Sequence, residues 1–240
     1  MERVTLERDL KQLVLTGYHA IPRHLQVALG PSETGATCHR QLAYSMMHEP
    51  ECNGESDPLA SLFGTAMHTQ LEGFAVKDNE RLGFERWIPE TKVVVRPGLS
   101  GHSDLYDTVT HTVVDYKCPG PTRFKYYVTN GPSGVYRKQF HQYGYGFENA
   151  GYQVDNVAMF LLPRAGTLRK AHLWMEPYDR QIALDVLKNL DNITLTMDAL
   201  EVETKPERYQ LIPITPSDDC RFCPFFAPNP VGPYQCKGNA

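Results

Sequence analysis

The stretch Leu99 to Cys118, LSGHSDLYDTVTHTVVDYKC, constrains the chain more than any other. Two β-prone runs flank the turn-like segment DTVTHT, so it reads as a hairpin. The β-branched pair Val113-Val114 marks the second strand as one that enters a core. Asp115 and Lys117 follow it two residues apart, which on a strand puts both side chains on one face. Asp104 lies on the first strand. Two carboxylates and an ammonium at the ends of neighbouring strands are what a divalent-metal phosphodiesterase needs. The carboxylates hold the ion, and the lysine positions or deprotonates the attacking water. Acid-x-base triplets are cheap: 28 acidic and 24 basic residues in 240 give about three by chance. The chain has five, at Asp9/Lys11, Glu90/Lys92, Asp115/Lys117, Glu203/Lys205 and Asp219/Arg221, and only Asp115/Lys117 follows a β-branched apolar pair.

The remainder of the chain supplies helices and strands around this hairpin. At 240 residues and 41% hydrophobic it can build one large domain, or one domain with appendages. Residues 3 to 16 carry Leu6, Leu10, Leu13 and Val14 at helical spacing, as a packing helix does. Loops are expected from Pro22 to Gly35 and over 48–58, with a short helix opening between them near Thr37. A helix begins at Pro58 with Asp57 as its cap and carries Gly64 and His68 one turn apart. A helical glycine costs about 1 kcal/mol against alanine, so Gly64 points to the close approach of a backbone or a ligand. By itself His68 reads as a hydrogen-bonded core histidine. A strand over Lys92 to Val95 precedes the hairpin, and the segment TRFKYYVTNGPSG after it reads as variable loop. A helix from Ser133 to Ala150 places Gln139 and Tyr143 on one face. Strands at Val154–Leu162 and Leu168–Met175 and a helix over Tyr178–Leu200 complete the core.

The N-terminus has no secretory apolar region and no apolar run is long enough to span a bilayer, so a cytoplasmic protein without membrane contact is expected. The net charge of −4 argues against a nonspecific nucleic-acid coat. A basic channel remains open to Arg123, Lys125, Arg137, Lys138, Arg164, Arg169 and Lys170, each of which also reads as an ordinary solvated charge. From Pro213 onward the chain is rich in proline and holds Cys220, Cys223 and Cys236. Such a tail builds no core and needs a tie. Three thiolates plus one more ligand would make a zinc site or an iron–sulfur site.

Four spaced motifs occur in order: Gly64-x-x-x-His68, Gly101-x-x-Asp104, Asp115-Tyr116-Lys117 and Gln139-x-x-x-Tyr143. Together with Cys38 ahead of them and the three tail cysteines behind, they resemble the RecB-like branch of the PD-(D/E)xK nuclease superfamily that carries an iron–sulfur cluster. That branch includes the CRISPR-associated iron–sulfur exonucleases, their stand-alone bacteriophage relatives and the AddB nuclease subunit. The resemblance implies an α/β restriction-endonuclease-like core, a central mixed sheet flanked by helices, with an iron–sulfur-stapled lobe made from both ends of the chain. The segments would be 1–57 with the first cluster cysteine, 58–205 as the nuclease core, and 206–240 as the tail.

The resemblance also implies roles. His68, Asp104, Asp115 and the Tyr116 carbonyl would hold Mn²⁺ or Mg²⁺. Lys117 would act on the water or on the charge at phosphorus, and Gln139 and Tyr143 would hold the strand or Lys117. Cys38, Cys220, Cys223 and Cys236 would carry a 4Fe-4S cluster, with zinc as the alternative. Twelve residues, including four prolines, separate Cys223 from Cys236, a wider spacing than the family's. Single-stranded DNA is the implied substrate, cut 5′→3′ in recombination, repair, replication or CRISPR-like processing. Arg123, Lys125 and Lys138 would contact it, and Tyr126, Tyr127 and Tyr136 could stack bases or pack. The resemblance leaves room for a homo-oligomer or a recombination-complex partner, since its members range from monomers to rings, and implies a bacterial or phage-infected cell. The reading from another class is a nuclease fold that binds DNA or partners without cutting.

Overall fold

The structure, a computed structural model, describes residues 2–19, 29–53 and 57–238. Residues 22–28 and 54–56 of the expected loops lie outside them, and Pro31–Thr34 of the first loop forms a short helix, α2. The centre is one five-stranded mixed sheet in the order β1-β2-β3-β4-β5. Its strands are β1 (Trp87–Arg96), β2 (Leu99–Asp107), β3 (Thr112–Lys117), β4 (Asn156–Leu161) and β5 (His172–Pro177). All neighbours are antiparallel except β3 and β4, which are parallel. The expected hairpin is β2–β3. Asp107 closes its turn by accepting from the Val109 N–H at 3.1 Å and the Thr110 hydroxyl at 2.7 Å, and it pairs with Arg86 at 3.0 Å. β1 is longer than the expected 92–95 and contains Pro89. As a sheet edge it tolerates a residue without an N–H.

Parallel pairing of β3 with β4 requires a crossover, and α5 (Pro121–Asn130) and α6 (Gly134–Asn149) provide it. Ser133 caps α6, its hydroxyl accepting from the Tyr136 N–H at 3.3 Å. Phe140, Tyr143 and Phe147 of α6 bury themselves against Val93, Tyr106, Val113, Val157 and Met159 of the sheet. The segment expected as variable loop is in fact α5. Pro119-Gly120-Pro121 masked it, although a proline in the first helical turn is itself a start signal. The opposite face of the sheet meets α4 (Leu59–Leu82) around Ala75, Leu105 and Tyr116. Asp57 caps α4 as expected, accepting from the Leu59 N–H at 2.9 Å. No helix among the described residues is long and apolar enough to cross a membrane.

A second cluster joins the two ends of the chain. Leu42 and Tyr44 of α3 (His39–Met46) pack with Val186, Leu190 and Ile193 of α7 (Arg180–Leu200) and with Tyr209, Ile212 and Phe225 from the tail. Arg40 donates to the Ile212 carbonyl at 2.9 Å and to Gln210 at 2.7 Å. The Tyr44 hydroxyl donates to the Pro233 carbonyl at 2.8 Å. α3 opens near Thr37 as expected, with Cys38 at its N-cap position. α1 (Glu2–His19) forms where expected, but its stripe of Leu6, Leu10, Leu13 and Val14 is exposed instead of packed.

One buried histidine ties β5 to α6. The His141 ring accepts the Asp179 N–H at Nδ1, 3.1 Å, and its Nε2 meets the Glu176 carboxylate at 2.7 Å. Arg137 holds the same carboxylate, and Tyr178 stacks on the ring. Burial pulls the imidazole below its usual 6.5, and Glu176 only partly restores it. The unfolded chain therefore binds this proton more readily. The contribution of His141 to stability is complete above the usual value and is lost as pH falls from there through the depressed folded-state value. The melting temperature is expected to drop between pH 7.5 and pH 5, and His141→Gln to flatten part of that drop. An unchanged acid profile in the variant would exclude the assignment.

Candidate active site

His68 from α4, Glu90 from β1 and Asp104 from β2 converge, with one ligand atom from each lying within 4.8 Å of the others. His68 Nδ1 is 3.2 Å from Asp104 Oδ1 and 3.9 Å from Glu90 Oε1. The pairing of β2 with β3 ends at Leu105 and Val114, and past that point the Asp104 side chain accepts the Tyr116 N–H at 2.6 Å. A carboxylate thus takes a place in the ladder and is held rigidly. Burial disfavours the charged His68 ring, but the hydrogen bond and charge of Asp104, with Asp115 beyond, hold it above the usual range.

Asp115 is only 1% exposed, and neither carboxylate oxygen has a hydrogen-bond partner beyond the Lys117 ammonium that it touches. Burial pushes its carboxyl up to about 7, against the pull of Lys117 and with the repulsion of Asp104. Burial works against the charge on Lys117 too, yet Asp115 and Asp104 outweigh it and keep the side chain an ammonium. Lys117 Nζ also sits 4.8 Å from the centre of the Tyr136 ring. A buried carboxylate short of partners beside a His/Glu/Asp group fits a divalent cation. Oxygen donors with one imidazole suit Mn²⁺ or Mg²⁺.

Gln139 and Tyr143 share a face of α6, and the Gln139 amide donates to the Tyr143 hydroxyl at 3.3 Å. Gln139 reaches the cleft described below, and its buried Oε1 is without a partner. Tyr143 stands behind it in the core. Tyr143 also explains the glycine of Gly101-x-x-Asp104. A Cβ on residue 101 would come within 2.8 Å of Pro31 and 3.1 Å of the Tyr143 ring. Gly101→Ala is therefore expected to cost about 1–3 kcal/mol through overpacking and to shift the Tyr143 ring. Chemical denaturation measures the first, and an unaltered midpoint would contradict the packing account.

A cleft of about 690 Å³ opens over this group, lined by Gly64, His68, Lys117, Arg123, Gln139 and Arg164 among others. Among the described residues, and apart from its own stretch of helix, nothing lies within 4 Å of a Cβ built on Gly64. The close approach of a backbone expected there does not occur; the glycine faces open space in the cleft. Arg123 and Arg164 line it as well, Arg123 lying 3.8 Å from Asp219 and Arg164 donating to the Cys118 carbonyl at 3.0 Å, and Tyr127 and Tyr136 share the lining. Lys138 instead donates to the Gly35 carbonyl at 3.3 Å, and Arg137 is paired with Glu176. Lys125 and Tyr126 are exposed on α5, outside this lining. Cys118 is half-buried and lines the cleft.

Glu90 is the candidate ligand that sequence reasoning missed. Its only signal was membership in one of five acid-x-base triplets. Its backbone φ is +42°, in the left-handed region that a non-glycine strand residue rarely enters.

Cys38, Cys220, Cys223 and Cys236 line a second cavity, of about 430 Å³, between α3 and the tail. Cys220 and Cys236 sulfurs accept backbone N–H groups of Ser217 and Gly238, each at 3.4 Å. Burial raises the Cys223 thiol to about 11. Among the described residues, no three cysteine sulfurs lie within 4.8 Å of one another. Cys52 is exposed, its thiol directed at the Phe226 carbonyl at 3.7 Å.

No protein-family model and no curated protein matches the chain. Among solved structures, it is similar to the alkaline exonuclease LHK-Exo of Laribacter hongkongensis, with a TM-score of 0.50 and 13% identity over 77% of this chain and 95% of that one. It is also similar to a phage-related exonuclease of Haemophilus somnus 129PT, with a TM-score of 0.50 and 11% identity over 69% and 82% of the two chains. The chain shares the fold of these exonucleases: a mixed sheet flanked by helices.

Proposed function

We propose that this protein is a metal-dependent deoxyribonuclease acting as an exonuclease on single-stranded DNA, with 5′→3′ polarity. The observation that carries the reading is the buried, hydrogen-bond-poor Asp115 carboxylate paired with Lys117, which with His68 lines an open cleft. The likeness of fold to two exonucleases supports it. His68, Asp104, Asp115 and the Tyr116 carbonyl would hold Mn²⁺ or Mg²⁺, which supplies Lewis-acid polarisation of the phosphate and an activated water. Lys117, held as an ammonium, acts as a charged donor to the oxygen that gains charge at phosphorus, in place of a base. Gln139 orients Lys117 or the scissile strand, with Tyr143 fixing the Gln139 amide. Arg123 and Arg164 hold flanking phosphates, and Tyr127 and Tyr136 offer faces to bases.

End-labelled single-stranded DNA tests this directly. Release of short labelled products with Mn²⁺ or Mg²⁺, and none with chelator, is expected. Wild-type protein that binds the strand and never cuts it would establish the non-cleaving alternative.

For the cysteine cavity we propose a 4Fe-4S cluster held by Cys38, Cys220, Cys223 and Cys236. Ligands of a four-iron cube attach to different irons and stand farther apart than those of a single ion. Bonds of about 2.3 Å would draw four sulfurs around zinc to under about 4 Å. What supports the proposal is that these four cysteines line one cavity; zinc is the alternative occupant. The cellular setting that goes with this reading is the cytoplasm, with a homo-oligomer or a recombination complex as the partner.

A further inference from the structure

We propose that Thr34 and Gln142 are positioning residues for the cleft: their buried hydrogen bond fixes the rotation of α6 and with it the aim of Gln139. The inference rests on the nuclease reading for the chemistry that Gln139 serves; the brace itself is geometry.

α2 is four residues long and lies between α6 and β2. The Thr34 hydroxyl donates to Gln142 Oε1 at 2.7 Å, 108 positions away in the chain, and the Gln142 amide donates back to the Pro31 carbonyl at 3.4 Å. Thr34 is 1% exposed and Gln142 0%. Bulk water does not reach either partner, so the bond is directional and costly to break. Two further contacts join the same elements. Lys138 donates to the Gly35 carbonyl at 3.3 Å, and a Cβ on Gly35 would come within 2.8 Å of the Val135 carbonyl oxygen. On the other side, Pro31 would meet a Cβ on Gly101 at 2.8 Å, three residues before Asp104. α2 is thus a wedge that sets α6 against the strand carrying Asp104.

Val135, Lys138 and Gln142 stand at i, i+3 and i+7, on one stripe of α6. Gln139 and Tyr143 occupy the neighbouring stripe, roughly a quarter turn around the axis at about 100° per residue. His141 lies on the side opposite that second stripe, where Glu176 and Asp179 hold it. α6 is braced from two sides, and the brace next to the site is α2. Packing of Phe140 and Phe147 sets how near α6 lies to the sheet, but it is non-directional. Among the described residues, Gln139 has the Tyr143 hydroxyl to hold its amide and nothing at its Oε1, so its aim follows the helix. Side chains end about 5–6 Å from a helix axis, so a rotation of about 10° moves the Gln139 amide by about 1 Å. A misplacement of that size costs up to about a hundredfold in rate.

The test compares Thr34→Val, which keeps the shape and removes the hydroxyl, with Thr34→Ser, which keeps the hydroxyl. Thr34→Val is expected to lower single-turnover cleavage at saturating single-stranded DNA by about 10- to 100-fold, with strand affinity within about twofold of wild type. Thr34→Ser is expected to hold the rate within about threefold of wild type. The double variant Thr34→Val/Gln142→Met removes both partners, so the Gln142 acceptor is not stranded. It is expected to melt near wild type and still lose the rate. Full rate in a folded Thr34→Val or in the double variant, an equal loss in Thr34→Ser, or a loss of affinity in place of rate would overturn the proposal. Hydrogen exchange of α6 in DNA-free protein is read separately. Faster exchange around Gln139 to Tyr143 in Thr34→Val, with Thr34→Ser like wild type, is expected. Wild type that cuts nothing while that contrast holds would sink the nuclease reading and leave the brace; unchanged exchange with an active wild type would do the reverse.

Discussion

On the proposed function, Asp115→Asn is expected to lower Mn²⁺-dependent cleavage of single-stranded DNA by about a thousandfold or more, the scale seen when one preorganised charged group is lost from a water-excluded site. Asparagine keeps the shape of the side chain and removes its charge, so the metal position loses a ligand and Lys117 loses its partner. Alanine confounds the result. It leaves the Lys117 ammonium buried beside a void, and breaking a buried pair from one side costs about 3–5 kcal/mol. The measurement pairs single-turnover cleavage with a thermal melt. Activity within tenfold of wild type, in a variant that melts normally, would remove Asp115 from the chemistry. Lys117→Met is expected to show a comparable loss of rate with less loss of Mn²⁺ affinity, because the ammonium donates and does not ligate.

Cys223→Ser is expected to abolish visible absorption and to destabilise the protein by about 4–5 kcal/mol, the chain-entropy value for releasing a very long closed loop. The ring in question runs from Cys38 to Cys223 and holds most of the fold. Purified wild-type protein should be brown. A colourless preparation with one zinc per chain would overturn the iron–sulfur proposal. Wild-type colour and melting behaviour in Cys223→Ser would overturn the role of Cys223. Cys52→Ser is the control: its exposed thiol lies outside the proposed ligand set, so colour should persist.

Much of the sheet was legible because it obeys local rules. Val113-Val114 announced β3, Asp107 and the threonines announced its turn, and Ser133 announced α6. Asp115 and Lys117 were visible because a period of two puts them on one face. What escaped depends on tertiary setting. Pro89 made β1 look short, and only its edge position admits a proline. α5 was lost because Pro119-Gly120-Pro121 is a turn signal and a helix start in the same letters. Gly64 and Gly101 read alike in sequence, yet one faces open space and the other a wall of Pro31 and Tyr143. Glu90 was illegible for a stronger reason: its place near His68 depends on a backbone conformation that glutamate does not favour.

The contacts between α3 and the tail set a schedule for synthesis. Arg40 and its acceptor at Ile212 are separated by 172 positions. At roughly 5–20 residues per second, a ribosome delivers the second about 10–30 s after the first. Throughout that interval Leu42, Ala43 and Tyr44, all essentially buried in the finished protein, have no native partner from the tail. The hairpin and its carboxylates are complete long before then. The nascent chain therefore passes through a state in which the cleft can already assemble while its two ends are still apart, and this is when a chaperone has most to cover.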